Sequence, residues 1–215
     1  MDIVKVVEDK VIKIYLDSKG NYPSSHDLLH VKRVLNNALT IASHMHLSDR
    51  EIILLRLACL LHDISIPLNG VKEDHAIHSA NYASSILIDH GLQAEDIEII
   101  CGSIREHSWR FGLKPSNIVS MILQDADRLD ALGVIGFARM VTYGEVQHRN
   151  LYFDSEPIPK FRCVDENYTL DHTFSKLILL PDSMNTELGK RMAKSRLNIL
   201  LWLIKIMQLE IEGLI

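Results

Sequence analysis

The chain has 215 residues, with 23 Lys+Arg against 28 Asp+Glu, so its formal net charge is −5 with the 11 His counted neutral. Apolar residues make up 47% and charged residues 24%, the balance of an ordinary globular domain and enough to bury a core without disulfides or structural zinc. The mild acidity argues against a general nucleic-acid or anionic-membrane binder, which needs a basic stripe. The longest apolar stretch, ILLRLACLL around Leu57, is too short for a bilayer and carries Arg56. The start, MDIVKVVEDK, lacks a signal-peptide pattern, and Cys59, Cys101 and Cys163 form no CxxC. Both features lead to the expectation of a cytoplasmic protein without a disulfide scaffold.

Helical spacing runs through nearly the whole chain. A first helix is expected over 3–16, stopping near Gly20-Asn21-Tyr22-Pro23. Ser25 or Asp27 can cap the next, which runs to about 46 with Leu28, Val31, Leu35, Ala38, Leu39, Ala42 and Met45 on one face. Ser48 with Glu51 reads as a capping box for a helix to about 64. That helix is apolar nearly all round at 57–61, which makes it central. Residues 67–70 read as a loop, 73–89 and 94–107 as helices, and 109–115 as a loop with Gly112. Residues 115–143 read as two helices joined near Leu132-Gly133. The stretch 145–171 has no clear period and contains Pro157 and Pro159, so it is expected to be a long loop or lid. Helices over 173–180 and 185–212, broken at Pro181, close the chain. The expectation is an all-α orthogonal helical bundle forming one domain over 1–215. Its parts are a core at about 25–144, a loop or lid at 145–172 and C-terminal helices at 173–215.

Several polar groups sit where a core should be. His62-Asp63 closes the most apolar helix, and a buried Asp needs compensation. Neighbouring helix residues are about 100° apart, so the two side chains can flank one ion. The bland reading is a polar helix end. His30 lies near a mostly apolar face. Asp125, Asp127 and Asp130 interrupt the apolar stretches IVSMIL and ALGVIGFARMV. Asp125 and Asp127 are about 200° apart on a helix, and spacing alone does not choose between them. His75, with His78 three residues on, and His107 complete the set. Singly, each is more often a surface or core residue. Together they make a set of imidazoles and carboxylates without thiolate, which suits Mn, Mg, Fe, Co, Ni or Zn without selecting among them.

HDLLHVKRV, LLHDI and DADRLDALG resemble the signatures of the HD-domain metal-dependent phosphohydrolases. REHSW and KLILLPDSMNTELGKRMAKSR are similar to a branch of small stand-alone predicted HD hydrolases. The resemblance runs from about Ser25 to the C-terminus. It implies an HD-type helical fold, a divalent ion held by His30, His62, Asp63 and Asp127, and a second ion at His75 and His107 as in binuclear members. No second His follows His107 and no Gly-Tyr-Pro occurs, so the cyclic-dinucleotide phosphodiesterase branch does not fit. Ile-Ser-Ile-Pro after the His-Asp pair lacks the acidic pair of the alarmone hydrolases.

The implied reaction is hydrolysis of a phosphoester or phosphoanhydride in a small-molecule phosphate ester, with a nucleotide as the preferred substrate. Asp63 would bind metal and orient water. Arg33 and Arg128 would neutralise the phosphoryl group, and Lys176, Arg191, Lys194 and Arg196 are further candidates. Asp130 and Glu106 are candidates for fixing a ligand imidazole. Tyr152, Phe153 and Phe161 are available to stack on a base. His26, His44, His46, His90, His148 and His172 read as surface or capping residues. The rival readings are a di-iron oxygenase on the same scaffold and a non-catalytic metal-bearing sensor.

Overall fold

The computed structural model describes residues 2–20, 22–70 and 74–215. Regular structure among them is helical, and extended chain pairs only in an isolated bridge between Asn150 and Tyr168. The all-α expectation holds. No helix among the described residues is long and apolar enough to cross a membrane. The chain divides into two compact units, Met1–Asp127 and Arg128–Ile215.

In the first unit, α1 (Ile3–Asp17) buries Val4, Val7, Val11 and Tyr15, one residue per turn. The cap of α2 (Leu28–Ala42) is Asp27, whose carboxylate accepts from the His30 amide at 2.8 Å. This helix stops short of the expected 46. Ser43 Oγ and His44 Nδ1 both donate to the Thr40 carbonyl, at 2.8 and 3.1 Å, and such local side-chain bonds compete with another helical turn. The capping box of Ser48 and Glu51 opens α3 (Asp49–Leu61) as expected. Leu54, Leu55 and every residue from Leu57 to Leu61 are buried, which places α3 at the centre of this unit.

Residues 67–69, expected in a loop, belong instead to a short helix, α4 (Ser65–Asn69). Pro67 is tolerated there because it lies in the first turn, where an N–H has no intrahelical partner. The expected start of the next helix at Glu73, like Asn21 in the expected break, lies outside the described residues. From His75 onward α5 (His75–Asp89) pairs with α6 (Ala94–Glu106). A turn of 3-10 helix at Trp109–Phe111 follows, ended by Gly112 in the left-handed region at φ 57°. α7 (Ile118–Asp130) begins later than 115, because Asn117 supplies the capping oxygen to the Ser120 amide at 3.0 Å. The last three residues of α7 belong to the second unit.

The second unit continues with α8 (Gly133–Val146), α9 (His172–Ser175) and α10 (Glu187–Ile211). Gly133, at φ 72°, makes the junction expected there. The helix expected over 173–180 is shorter, and a 3-10 segment, Leu177–Ser183, accommodates Pro181. α10 starts at Glu187, where the Thr186 hydroxyl accepts from the Gly189 amide at 3.0 Å. The aperiodic segment folds back on α8: a Cβ on Gly144 would lie 2.1 Å from Thr169 Oγ1, so only glycine permits this approach.

Candidate metal centre

The site lies in the first unit and draws on four helices and the turns beside them. His30 comes from the first turn of α2, His62 and Asp63 from the turn joining α3 to α4, and His107 from the end of α6. Asp127 comes from α7, and His75 opens α5. Three sets of donor atoms lie mutually within 4.8 Å: His26, His30 and Asp63; His30, His62 and Asp127; and His62, Asp63 and His107. The residues named from the sequence as ligands of a first ion are thus brought together.

Backbone carbonyls set the tautomers of two imidazoles. His62 Nδ1 bonds the Cys59 carbonyl at 2.8 Å, and His107 Nδ1 bonds the Ile104 carbonyl at 2.6 Å. A carbonyl only accepts, so each Nδ1 carries the proton and each Nε2 is left to face the cluster. The support is therefore main chain rather than the carboxylates considered for it. Glu106 accepts from the Ser116 amide and from Ser120 Oγ, at 2.9 and 2.5 Å, fastening the loop before α7. Asp130 pairs with Arg139 at 3.0 Å.

Asp63, 2% exposed, is the centre of the arrangement. His26 Nδ1 lies 3.0 Å from its Oδ2, and His30 Nε2 and His62 Nε2 lie 3.5 and 3.6 Å from the same oxygen. His75 Nε2 and His107 Nε2 both lie 3.6 Å from Oδ1. The carboxylate therefore divides the histidines into two groups, one for each oxygen. Asp127 Oδ1 lies 3.5 Å from His30 Nε2, and the Asp127 side chain is 26% exposed. Asp125 is fully buried and belongs to none of the three donor sets.

The electrostatics match this geometry. Burial pushes the His62 imidazole down to about 4, against the pull of Asp63. Burial opposes ionisation of Asp63 as well, but the surrounding imidazoles, led by His62, hold its carboxyl well below the usual range. His107 is buried too, yet its contact with Asp63 raises it above its ordinary value.

These residues fit a divalent cation. Asp63 Oδ1 is buried and has no hydrogen-bond partner among the described residues, a costly state in a low-dielectric interior. The Nε2 atoms of His30 and His62 approach to 3.2 Å, a separation that calls for one shared proton or cation. The donor set is nitrogen and oxygen only, which suits first-row divalent metals and magnesium.

Other residues take different positions. His26, read from the sequence as a surface or capping residue, joins the cluster. The 3-10 turn Ser24–His26 and the Asp27 cap bring it back over His30, with the rings 5.6 Å apart. The signal was the first His of HDLLH, but His26 precedes the helix and periodicity does not reach it. His78 instead pairs with Asp74 at 3.0 Å, outside the cluster. Arg33 is half-buried on α2, one turn beyond His30. Arg128 donates to the Ser183 carbonyl at 2.6 Å and Arg196 to the Leu129 carbonyl at 2.8 Å, both within the second unit. In the segment expected as a lid, Phe153 and Tyr168 flank the Arg162 guanidinium at 5.2 and 5.5 Å, while Phe161 is 95% exposed.

A family model of the HD domain matches residues 28–132, and this segment, which holds all the proposed ligands, is an HD domain. It is 28% identical over 195 residues to YpgQ of Bacillus subtilis, covering 89% of this chain and 87% of YpgQ. A crystal structure of a predicted HD superfamily hydrolase from an uncultured Thermotogales bacterium superposes with a TM-score of 0.64 at 27% identity. That match covers 96% of this chain and 91% of the other. YpgQ solved in complex with ADP gives a TM-score of 0.69 at 24% identity, over 95% of this chain and 96% of that one.

Proposed function

We propose that the chain is a metal-dependent phosphohydrolase that cleaves a phosphoester or phosphoanhydride bond of a nucleotide. The observation that carries this reading is the buried Asp63 carboxylate, with one oxygen facing His26, His30 and His62 and the other, without a hydrogen-bond partner, facing His75 and His107. On this reading His30, His62, Asp63 and Asp127 would hold one divalent ion, and His75 and His107 would serve a second. Bound there, such an ion supplies Lewis acidity toward a phosphoryl oxygen and acidifies water. Asp63 orients the attacking water, and His26 holds Asp63 in place. Arg33 is retained as a cation that neutralises the phosphoryl group. It lies one turn beyond His30 in the same compact unit as the ligands, and Arg128, next to Asp127 on α7, is the second such cation.

The nucleotide part of the reading rests on the ADP complex of YpgQ, to which this chain is 28% identical. The test is phosphate release from nucleotides, pyrophosphate and simple phosphomonoesters after metal stripping and readdition of Mn, Mg, Co or Ni. The control carries His62→Ala and Asp63→Ala. Metal-dependent release that vanishes in the control is expected. No release from any substrate, with iron retained through purification, would replace the reading with the oxygenase.

A further inference from the structure

Tyr15 presents a buried hydroxyl that the fold does not use. It sits in the last turn of α1, 2% exposed, with its ring edge-on to Tyr22 at 5.2 Å. The hydroxyl oxygen is buried and makes no hydrogen bond among the described residues. Such a group costs stability, and phenylalanine would fill the same space without that cost. Helix α1 packs on both α3 and α4, the two helices that flank the His62-Asp63 turn. Burial, and after it the charge of Asp63, push the phenol far up, so at neutral pH it offers a proton to hydrogen-bond. Asp63 Oδ1 is a second buried atom of this unit lacking a hydrogen bond. Position 15 precedes the segment 28–132 that matches the HD domain, so nothing in that match accounts for it.

We propose that Tyr15 is a further residue of the site, whose hydroxyl donates a hydrogen bond to an oxygen seated beside Asp63, that of water in the metal-loaded protein and of phosphate when substrate or product is bound. The inference rests on the hydrolase reading for its phosphate and on the metal centre for its water. It gives the orphaned hydroxyl the acceptor it lacks. It also makes the site's oxygen-binding side a feature of this chain's N-terminal helix.

The experiment compares wild type with Tyr15→Phe. Metal-free melting is recorded first, then manganese binding, then binding of inorganic phosphate to the manganese-loaded protein by calorimetry. Removing only the hydroxyl should leave metal-free melting unchanged or raise it. Phosphate affinity should weaken about tenfold, the size of one hydrogen bond to a charged oxygen. Unchanged phosphate affinity overturns the proposal. So does a fall of several degrees in metal-free melting, which would show that the hydroxyl has a structural partner. If the wild type binds manganese but no phosphate, the hydrolase reading fails, and Tyr15 is judged on manganese alone. A clear loss of manganese affinity in Tyr15→Phe then supports its contact with water, and no loss overturns it. A wild type that binds no manganese overturns both readings.

Discussion

Two aspartates buried to the same degree are treated in opposite ways. Asp171, fully buried in the second unit, accepts from Arg162 Nη1 and Nη2 at 2.5 and 2.7 Å and from the Asp165 amide at 2.7 Å. Its charge is neutralised by a planar bidentate partner, the geometry that suits a permanent ion pair. Asp63 in the first unit has, among the described residues, no Arg or Lys as an ion-pair partner. It has five imidazoles, groups whose protons can be displaced, and one oxygen without a hydrogen bond. A carboxylate meant only to hold a fold is finished like Asp171. One left like Asp63 is waiting for a cation, and that contrast is the physical argument for a metal centre.

The largest expected effect tests the open carboxylate. Asp63→Ala should weaken manganese binding by more than the roughly 10–100-fold typical of losing an outer partner of a ligand, and should abolish metal-dependent phosphate release. The matching change at the closed carboxylate is Arg162→Ala, which leaves Asp171 buried without its counter-ion. Removing one partner of a buried pair costs about 3–5 kcal/mol, readable as a lower urea midpoint. Manganese affinity should stay as in wild type. If Arg162→Ala instead cost the metal and spared stability, the contrast between the two aspartates would collapse.

That contrast was only half visible in the sequence. His62-Asp63 at the end of an apolar run announced a buried charge by composition alone, and the motifs named its partners. The Arg162–Asp171 pair gave no such sign, because the two stand nine positions apart in aperiodic chain. The carboxylate of Glu156 makes the pairing possible by accepting from the amides of Lys160, Phe161 and Arg162. Loop geometry of this kind has no period to read. The same limit hid His26, which reaches Asp63 through a 3-10 turn, and the helical state of Pro67, which depends on its place in a first turn. Glu106 shows the converse: its position beside His107 suggested support of the imidazole, but the nearby serines claimed its carboxylate.

His26 sharpens the comparison further. Its Nδ1 makes the shortest contact to Asp63, yet it lies outside the family-matched segment. If it only orients the carboxylate, His26→Ala should cost about 10–100-fold in metal affinity and leave the metal-to-protein ratio unchanged. A loss of stoichiometry would promote His26 from orienting residue to ligand.

The smallest effect belongs to a histidine outside the Asp63 cluster. His172, at the start of α9, is pushed down to about 4 by burial, with Lys176 and Arg149 adding repulsion. Its ordinary value is 6.5, so the unfolded chain binds a proton that the folded protein refuses. Stability therefore rises with pH through this window and is lost as pH falls from about 6.5 toward about 4. At pH 5.5 the loss from this residue is on the order of 1 kcal/mol. His172→Gln should remove that slope from metal-free urea titrations while leaving the midpoint at pH 8 nearly unchanged. A slope that persists in the variant would assign the acid sensitivity to the Asp63 cluster instead, and repeating the titration with manganese bound would then flatten it, because a bound cation takes the place of the protons those imidazoles would gain.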